Sequence, residues 1–188
     1  PSCSSIMLCA SLHPKSYSLK PPIVRTQEET HYPSHIGKSK LKHDSNITFK
    51  NSKEINQQQL LNLYNAVGWT NYTSDPDLLP NAITHSSFVT TAWKEDQLIG
   101  LARCLSDDAY MMYLQDILVL PSMQGKGLGE QLMQRCLDRY EHVKQRVLLT
   151  DNREQQVAFY KKMGFHNTRD LQKFHLNAFI QYKGVDLM

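Results

Sequence analysis

The sequence predicts an α/β sandwich around a mixed sheet, and three observations predict it. From Ile47 onward, segments with helical and strand periods alternate along the chain. Ala109–Leu120 is apolar at both even positions (Tyr110, Met112, Leu114, Leu118, Leu120) and odd ones (Met111, Tyr113, Ile117, Val119). A strand of that kind is covered on both faces. Glycines at 125, 127 and 129 then join it to an amphipathic segment, as in strand-to-helix units that cradle a ligand.

The elements follow in order. Ile47–Lys50 reads as a short strand. Asn51–Glu54 has capping-box spacing ahead of the stripe Ile55, Leu60, Leu61, Leu63, Tyr64 and Val67, which Gly68 closes. Asp75-Pro76 places an N-cap before a helix-starting proline, and Leu78, Leu79, Ala82 and Ile83 share one face. Two strand-like runs, Phe88–Trp93 and Leu98–Leu105, flank the polar turn Lys94–Gln97. After Pro121, the residues Leu128, Leu132, Met133, Cys136, Leu137 and Tyr140 keep helical spacing. Arg146–Thr150 reads as a strand, Val157–Met163 as a helix stopped by Gly164, and Phe165–Tyr182 as two further strands.

The 188 residues suit one folded domain, here 46–188, preceded by a different segment, 1–45. That leading segment mixes Ser, Pro, His and Lys without a period, and its first acidic residue is Glu28. It reads as an expression leader, a disordered extension or a transit segment, although a transit segment would be richer in arginine. No run approaches the roughly 18 apolar residues of a membrane span, so no membrane partner is expected. A net charge of +3, with its basic residues scattered, argues against nucleic acid. Cys3, Cys9, Cys104 and Cys136 have no C-x-x-C spacing, so neither a disulfide framework nor a metal site is expected. A reducing, cytoplasmic setting is the expectation, with a plastid or other organelle as the alternative if the leading segment is a native address.

The chemistry concentrates in Pro121-Ser122-Met123-Gln124-Gly125-Lys126-Gly127-Leu128-Gly129. Alternate glycines let successive N–H groups turn into one hollow, and the helix start adds unpaired donors and a positive dipole end. Lys126 can add a point charge. A Walker A loop requires Ser or Thr after its Gly-Lys, whereas Gly127 stands there; G-x-G-x-G also departs from the dinucleotide fingerprint. Taken alone, the glycines also fit a plain tight turn.

Asp116-Ile117-Leu118-Val119-Leu120-Pro121 followed by Gln124-x-x-Gly127-x-Gly129 resembles the acetyl-coenzyme A signature of the GNAT superfamily, Q/R-x-x-G-x-G/A. Val157-Ala158-Phe159-Tyr160-Lys161-Lys162-Met163-Gly164-Phe165 resembles its second marker, a helix ending in F-Y-x-x-x-G-F. The resemblance covers about residues 47–182. Leu63–Trp69 and Gly100–Asp107 are similar to small bacterial GNAT proteins and, more loosely, to plastid serotonin or lysine N-acetyltransferases.

That resemblance implies the GNAT fold, a mixed, mostly antiparallel central sheet flanked by helices, and transfer of an acetyl group from acetyl-CoA to an amine. The expected acceptor is a small-molecule primary amine. A protein lysine or a non-catalytic, CoA-binding sensor role are the alternatives. Homodimers are common in the superfamily. By resemblance, backbone groups of Ile117, Leu118 and Val119 take the pantetheine arm, and an N–H near Leu118 polarises the thioester oxygen. Gly125, Lys126, Gly127, Leu128, Gly129 and Glu130 hold the pyrophosphate, and Gln124 and Asn152 also bind the cofactor. Tyr160 is the expected general acid, since a phenol can deliver its proton to a departing thiolate. Asp116 is the first choice for base, with a carboxylate bonded to neighbouring backbone as the plainer reading; Asp151 comes second. Trp69 and Tyr72 fall where the family builds its acceptor pocket.

Overall fold

The computed structural model describes residues 46–173 and 175–182. The expectation that 1–45 stands apart from the fold lies outside them.

Five strands form one sheet in the order β1-β2-β3-β4-β5. They are β1 (Ile47–Lys50), β2 (Phe88–Lys94), β3 (Gln97–Ser106), β4 (Met111–Val119) and β5 (Gln145–Leu148). The first four pair antiparallel, and β5 joins β4 in parallel, so the sheet is mixed as expected. The parallel pairing follows from the connection: β4 leads through helix α3 (Leu128–Arg139) before the chain returns as β5.

Helices cover both faces. On one side lie α1 (Gln57–Ala66) and α2 (Leu78–His85), whose Leu60, Leu63, Leu79 and Ile83 pack on Val89, Leu98, Leu101 and Leu118. On the other, Leu128, Leu132, Met133 and Cys136 of α3 pack on Ala92, Ile99, Ala102, Met112, Leu114 and Val119. Phe159, Tyr160 and Met163 around the end of α4 (Glu154–Lys162) close that layer. Each fully buried leucine contributes about 1.5–3 kcal/mol of hydrophobic stabilisation.

Element identity follows the sequence closely, and four details differ. Helix α1 starts later than the capping-box spacing implies: Asn56 is its N-cap, its side chain accepting from Gln59 N–H at 3.2 Å, while Ser52 only turns the chain before Glu54. Asp75 likewise forms a turn, accepting from Asp77 N–H at 3.1 Å, and α2 begins at Leu78. The two strands expected within Phe165–Tyr182 do not form among the described residues. A 3-10 turn at Thr168–Asp170 stands there, and Leu176, Phe179, Ile180 and Tyr182 are exposed, with no sheet face to bury them.

The fourth detail concerns β4. Arg103 pairs with Asp116 but Cys104 pairs with Leu114, so Gln115 is an extra, unpaired residue. A bulge shifts side-chain phase by one residue. Met112 and Leu114 before it, and Ile117 and Val119 after it, therefore all face α3, while Leu118 faces α1. The two-sided apolar pattern of β4 is partly a strand covered on both sides and partly this slip.

Candidate active site

Pairing of β4 with β5 runs from Met111–Gln145 to Leu114–Leu148 and then stops. From Gln115 onward the β4 edge that faces β5 has no strand partner among the described residues, so the sheet splits there. Backbone groups on that edge are open to an extended ligand, apart from the Val119 carbonyl, which already accepts from Gln124.

Below the split, Pro121–Met123 makes a 3-10 turn and leads to the glycine loop. Gly125 (φ +73°) and Gly127 (φ +78°) occupy the left-handed region, which explains glycine at both positions. The first helical bond of α3 runs from Gln131 N–H to the Gly127 carbonyl at 3.2 Å, leaving the N–H groups of Leu128, Gly129 and Glu130 without helical acceptors. Gln124 does not turn into this hollow: its Nε2 donates to the Val119 carbonyl at 3.0 Å, tying the loop to the strand end. Lys126 is exposed beside the loop, its Nζ 3.7 Å from Met123 Sδ. Glu130 is paired with Lys162 of α4, which offsets its charge near the hollow.

Helix α4 lies across the start of α3. A Cβ at Gly129 would touch the Phe159 ring at 3.7 Å. The next residue, Tyr160, stands edge-on to Phe159 and Phe165, with centroids 5.2 and 6.2 Å away. Burial raises its phenol above the ordinary value; a hydrogen bond with Thr150 offsets part of the rise and the Asp151 carboxylate adds to it. Thr150 and Asp151 follow directly on β5, so the Tyr160 hydroxyl belongs to the far wall of the split. Asp151 itself is exposed, accepts from Arg153 Nε at 2.8 Å, and is held below the usual carboxylate range chiefly by that bond. Asn152 is exposed in the same connection.

The α1 side of the split is built from side chains. Asp116 is buried and accepts from Arg103 Nε, from the Tyr64 hydroxyl at 2.7 Å and from the Tyr72 hydroxyl at 3.0 Å. Arg103 also reaches Ser86 Oγ at 3.3 Å, and that hydroxyl is anchored to the Ala82 carbonyl. Burial, and after it the Asp116 carboxylate, pushes Tyr64 well above the ordinary phenol value and raises Tyr72 as well. For Arg103 burial acts downward, but the Asp116 charge and hydrogen bond outweigh it and the net shift is upward. All three donors therefore keep their protons around neutral pH. Trp69 stacks on Tyr72 at 5.8 Å and completes an aromatic wall with Tyr64. Tyr72 also lines a cavity of about 340 Å³ with Leu78, Leu79, Asn81, Ala82 and His85 among its other walls.

Sequence reasoning missed Arg103, Tyr64, Gln115 and Thr150. For Arg103 a signal was present: one cation in an apolar strand and one anion in the next pair naturally across a hairpin. Tyr64 sits within an apolar helical stripe and carries no such mark.

The model of the family described as Acetyltransferase (GNAT) domain matches residues 51–184. The chain belongs to the GNAT acetyltransferase family. As an acyl-CoA N-acyltransferase, it is 32% identical over 127 residues to an uncharacterized N-acetyltransferase, ycf52, of Gracilaria tenuistipitata var. liui, covering 64% of this chain and 67% of that one. It is 35% identical over 74 residues to a protein of Glycine max described as a histone acetyltransferase, covering 38% and 31%. Among solved structures, a GNAT family acetyltransferase of Streptococcus pneumoniae superposes with a TM-score of 0.61 at 34% identity, covering 73% of this chain and 99% of that one. That solved structure agrees with the mixed sheet flanked by four helices. Among the described residues no cluster of His, Cys, Asp or Glu has the arrangement of a metal site.

Proposed function

We propose that this acetyltransferase moves the acetyl group of acetyl-CoA to a small-molecule primary amine, with the reaction seated in the split between β4 and β5. The observation that carries this reading is the end of the β4–β5 ladder at Leu114 and Leu148, between the glycine loop and Tyr160. The free edge of Ile117–Val119 pairs with the pantetheine arm as an added strand. The open N–H groups from Gly125 to Glu130 hold the pyrophosphate, helped by the α3 dipole. Gln124 serves this site indirectly, by holding the loop to Val119.

Nucleophilic attack by the amine forms the new C–N bond and breaks the C–S bond, leaving a thiolate. Tyr160 donates its proton to that sulfur, and the proton that the acylated nitrogen sheds returns through water to the tyrosinate, so the phenol is regenerated. Its raised phenol value keeps it protonated through neutral and mildly alkaline pH. Asp116 enters as a positioning residue rather than the base. Its carboxylate already serves Arg103 and two phenols, and freeing it would strand a buried guanidinium. The amine instead loses its proton to water before attack.

The cavity beside Tyr72, about 340 Å³, supports a small acceptor, since it lies in the usual size range for small-molecule sites. An acceptor screen tests the reading: acetyl-CoA with polyamines, arylalkylamines, amino acids, aminoglycosides and lysine peptides, monitoring released thiol. Turnover of small amines well above that of lysine peptides is the expected outcome. Preference for the peptides would replace the small acceptor by a protein.

A further inference from the structure

The β4 bulge places one more functional group at the split. Gln115 is the extra residue, the first of β4 beyond the paired stretch, and it is half-buried. Like Asp116 it reaches Tyr72, so the bulge turns two consecutive polar side chains toward the α1 side.

The hydrogen bonds fix the direction of its amide. The Asp116 carboxylate can only accept, so the single Tyr72 proton is committed to Asp116 Oδ1 at 3.0 Å. The Tyr72 oxygen must then accept, and it does so from Gln115 Nε2 at 3.1 Å. The Gln115 oxygen, Oε1, is turned the other way. It has no partner among the described residues and is not enclosed: the only buried side-chain polar atom there without a partner is Thr90 Oγ1. The chain Arg103, Asp116, Tyr72, Gln115 thus ends in an acceptor oxygen left unpaired among the described residues, on the residue that follows the last β4–β5 pair.

We propose that Gln115 Oε1 receives an N–H of the acceptor amine and holds its nitrogen in line with the thioester carbonyl. An amide suits this task better than a carboxylate. It orients the amine without the negative charge that would favour the protonated, unreactive ammonium form. The inference rests on the primary-amine reading above and assigns the residue that recognises the reacting nitrogen.

Steady-state kinetics with acetyl-CoA, using benzylamine, spermidine and Nα-acetyl-lysine amide as probes, tests it. With the amine that wild type uses best, Gln115→Leu is expected to raise the amine KM about tenfold or more, as loss of one well-placed hydrogen bond would. The acetyl-CoA KM and Tm should stay near wild type. Gln115→Glu keeps an acceptor oxygen but loses the N–H that anchors it on Tyr72, so the amine KM recovers only in part while the pH optimum moves upward. An unchanged amine KM in Gln115→Leu overturns the assignment. So does a Gln115→Leu enzyme whose Tm drops and whose acetyl-CoA KM rises together with the amine KM, because that marks a structural role. A wild type that turns over none of the three amines overturns the small-amine reading, and this inference with it.

Discussion

The two walls of the split are made of different materials. The loop wall, Gly125 to Glu130, is backbone: N–H groups presented by two left-handed glycines and a helix start, all within a few residues. The α1 wall is side chains: Tyr64, Tyr72, Arg103, Gln115 and Asp116, drawn from two helical segments and two strands, with Tyr64 and Asp116 52 residues apart. A backbone site needs only the right local sequence. A side-chain network needs the whole fold in place before any of its bonds can form, and its energetics are those of buried charge.

The sharpest test of this contrast lies at Tyr160, on the far side of the split and outside both of these frameworks. Tyr160→Phe keeps the ring packing with Phe159 and Phe165, so fold and CoA affinity should hold. If the hydroxyl protonates the leaving thiolate, kcat falls by about 10²–10⁴. Because the wild-type phenol is raised, its rate should decline only above about pH 10, the ordinary phenol value, and the variant should lack that decline. A kcat within about threefold of wild type, outside that span, reduces Tyr160 to packing.

Breaking the side-chain wall should cost stability first. Asp116→Ala leaves Arg103 buried without its counter-charge, and urea denaturation should show a loss of about 3–5 kcal/mol. The double variant Arg103→Met/Asp116→Leu should recover much of that loss, since apolar replacement removes the stranded charge. A single variant as stable as wild type would mean that water already solvates the pair. Tyr64→Phe is the milder cut, removing one hydrogen bond to a charged group, worth about 1.5–3 kcal/mol.

The backbone wall should respond in the opposite manner, with binding lost and stability little changed. Gly127→Glu places a bulky anion at a left-handed position in the hollow, and calorimetry should show at least a tenfold weaker CoA, about 1.4 kcal/mol. Unchanged affinity in a folded variant would dismiss the loop as the pyrophosphate site. Gly125→Ala is expected to give the smallest effect. A Cβ there meets nothing within 4 Å, so only the left-handed backbone resists, at about 1 kcal/mol.

The difference between the walls also explains what was legible beforehand. Helix and strand periods located nine elements that form, because burying one face of each imposes its period on local sequence. The glycine loop and the Tyr160 helix were readable for the same reason. The C-terminal strands were misread because alternation around Leu176–Tyr182 finds no sheet face to bury it. Asp116 was located, but its partners were not.

By itself, then, the sequence determined the order of the elements, the glycine hinge of the loop and the aromatic end of α4, since each depends on neighbours within a turn or two. Tertiary structure alone decided three things. It stopped the β4–β5 ladder at Leu114, it put the bulge at Gln115, and it gathered Arg103, Tyr64 and Tyr72 onto one carboxylate. Register and buried charge pairing depend on which strands and helices meet, and no local period records that meeting.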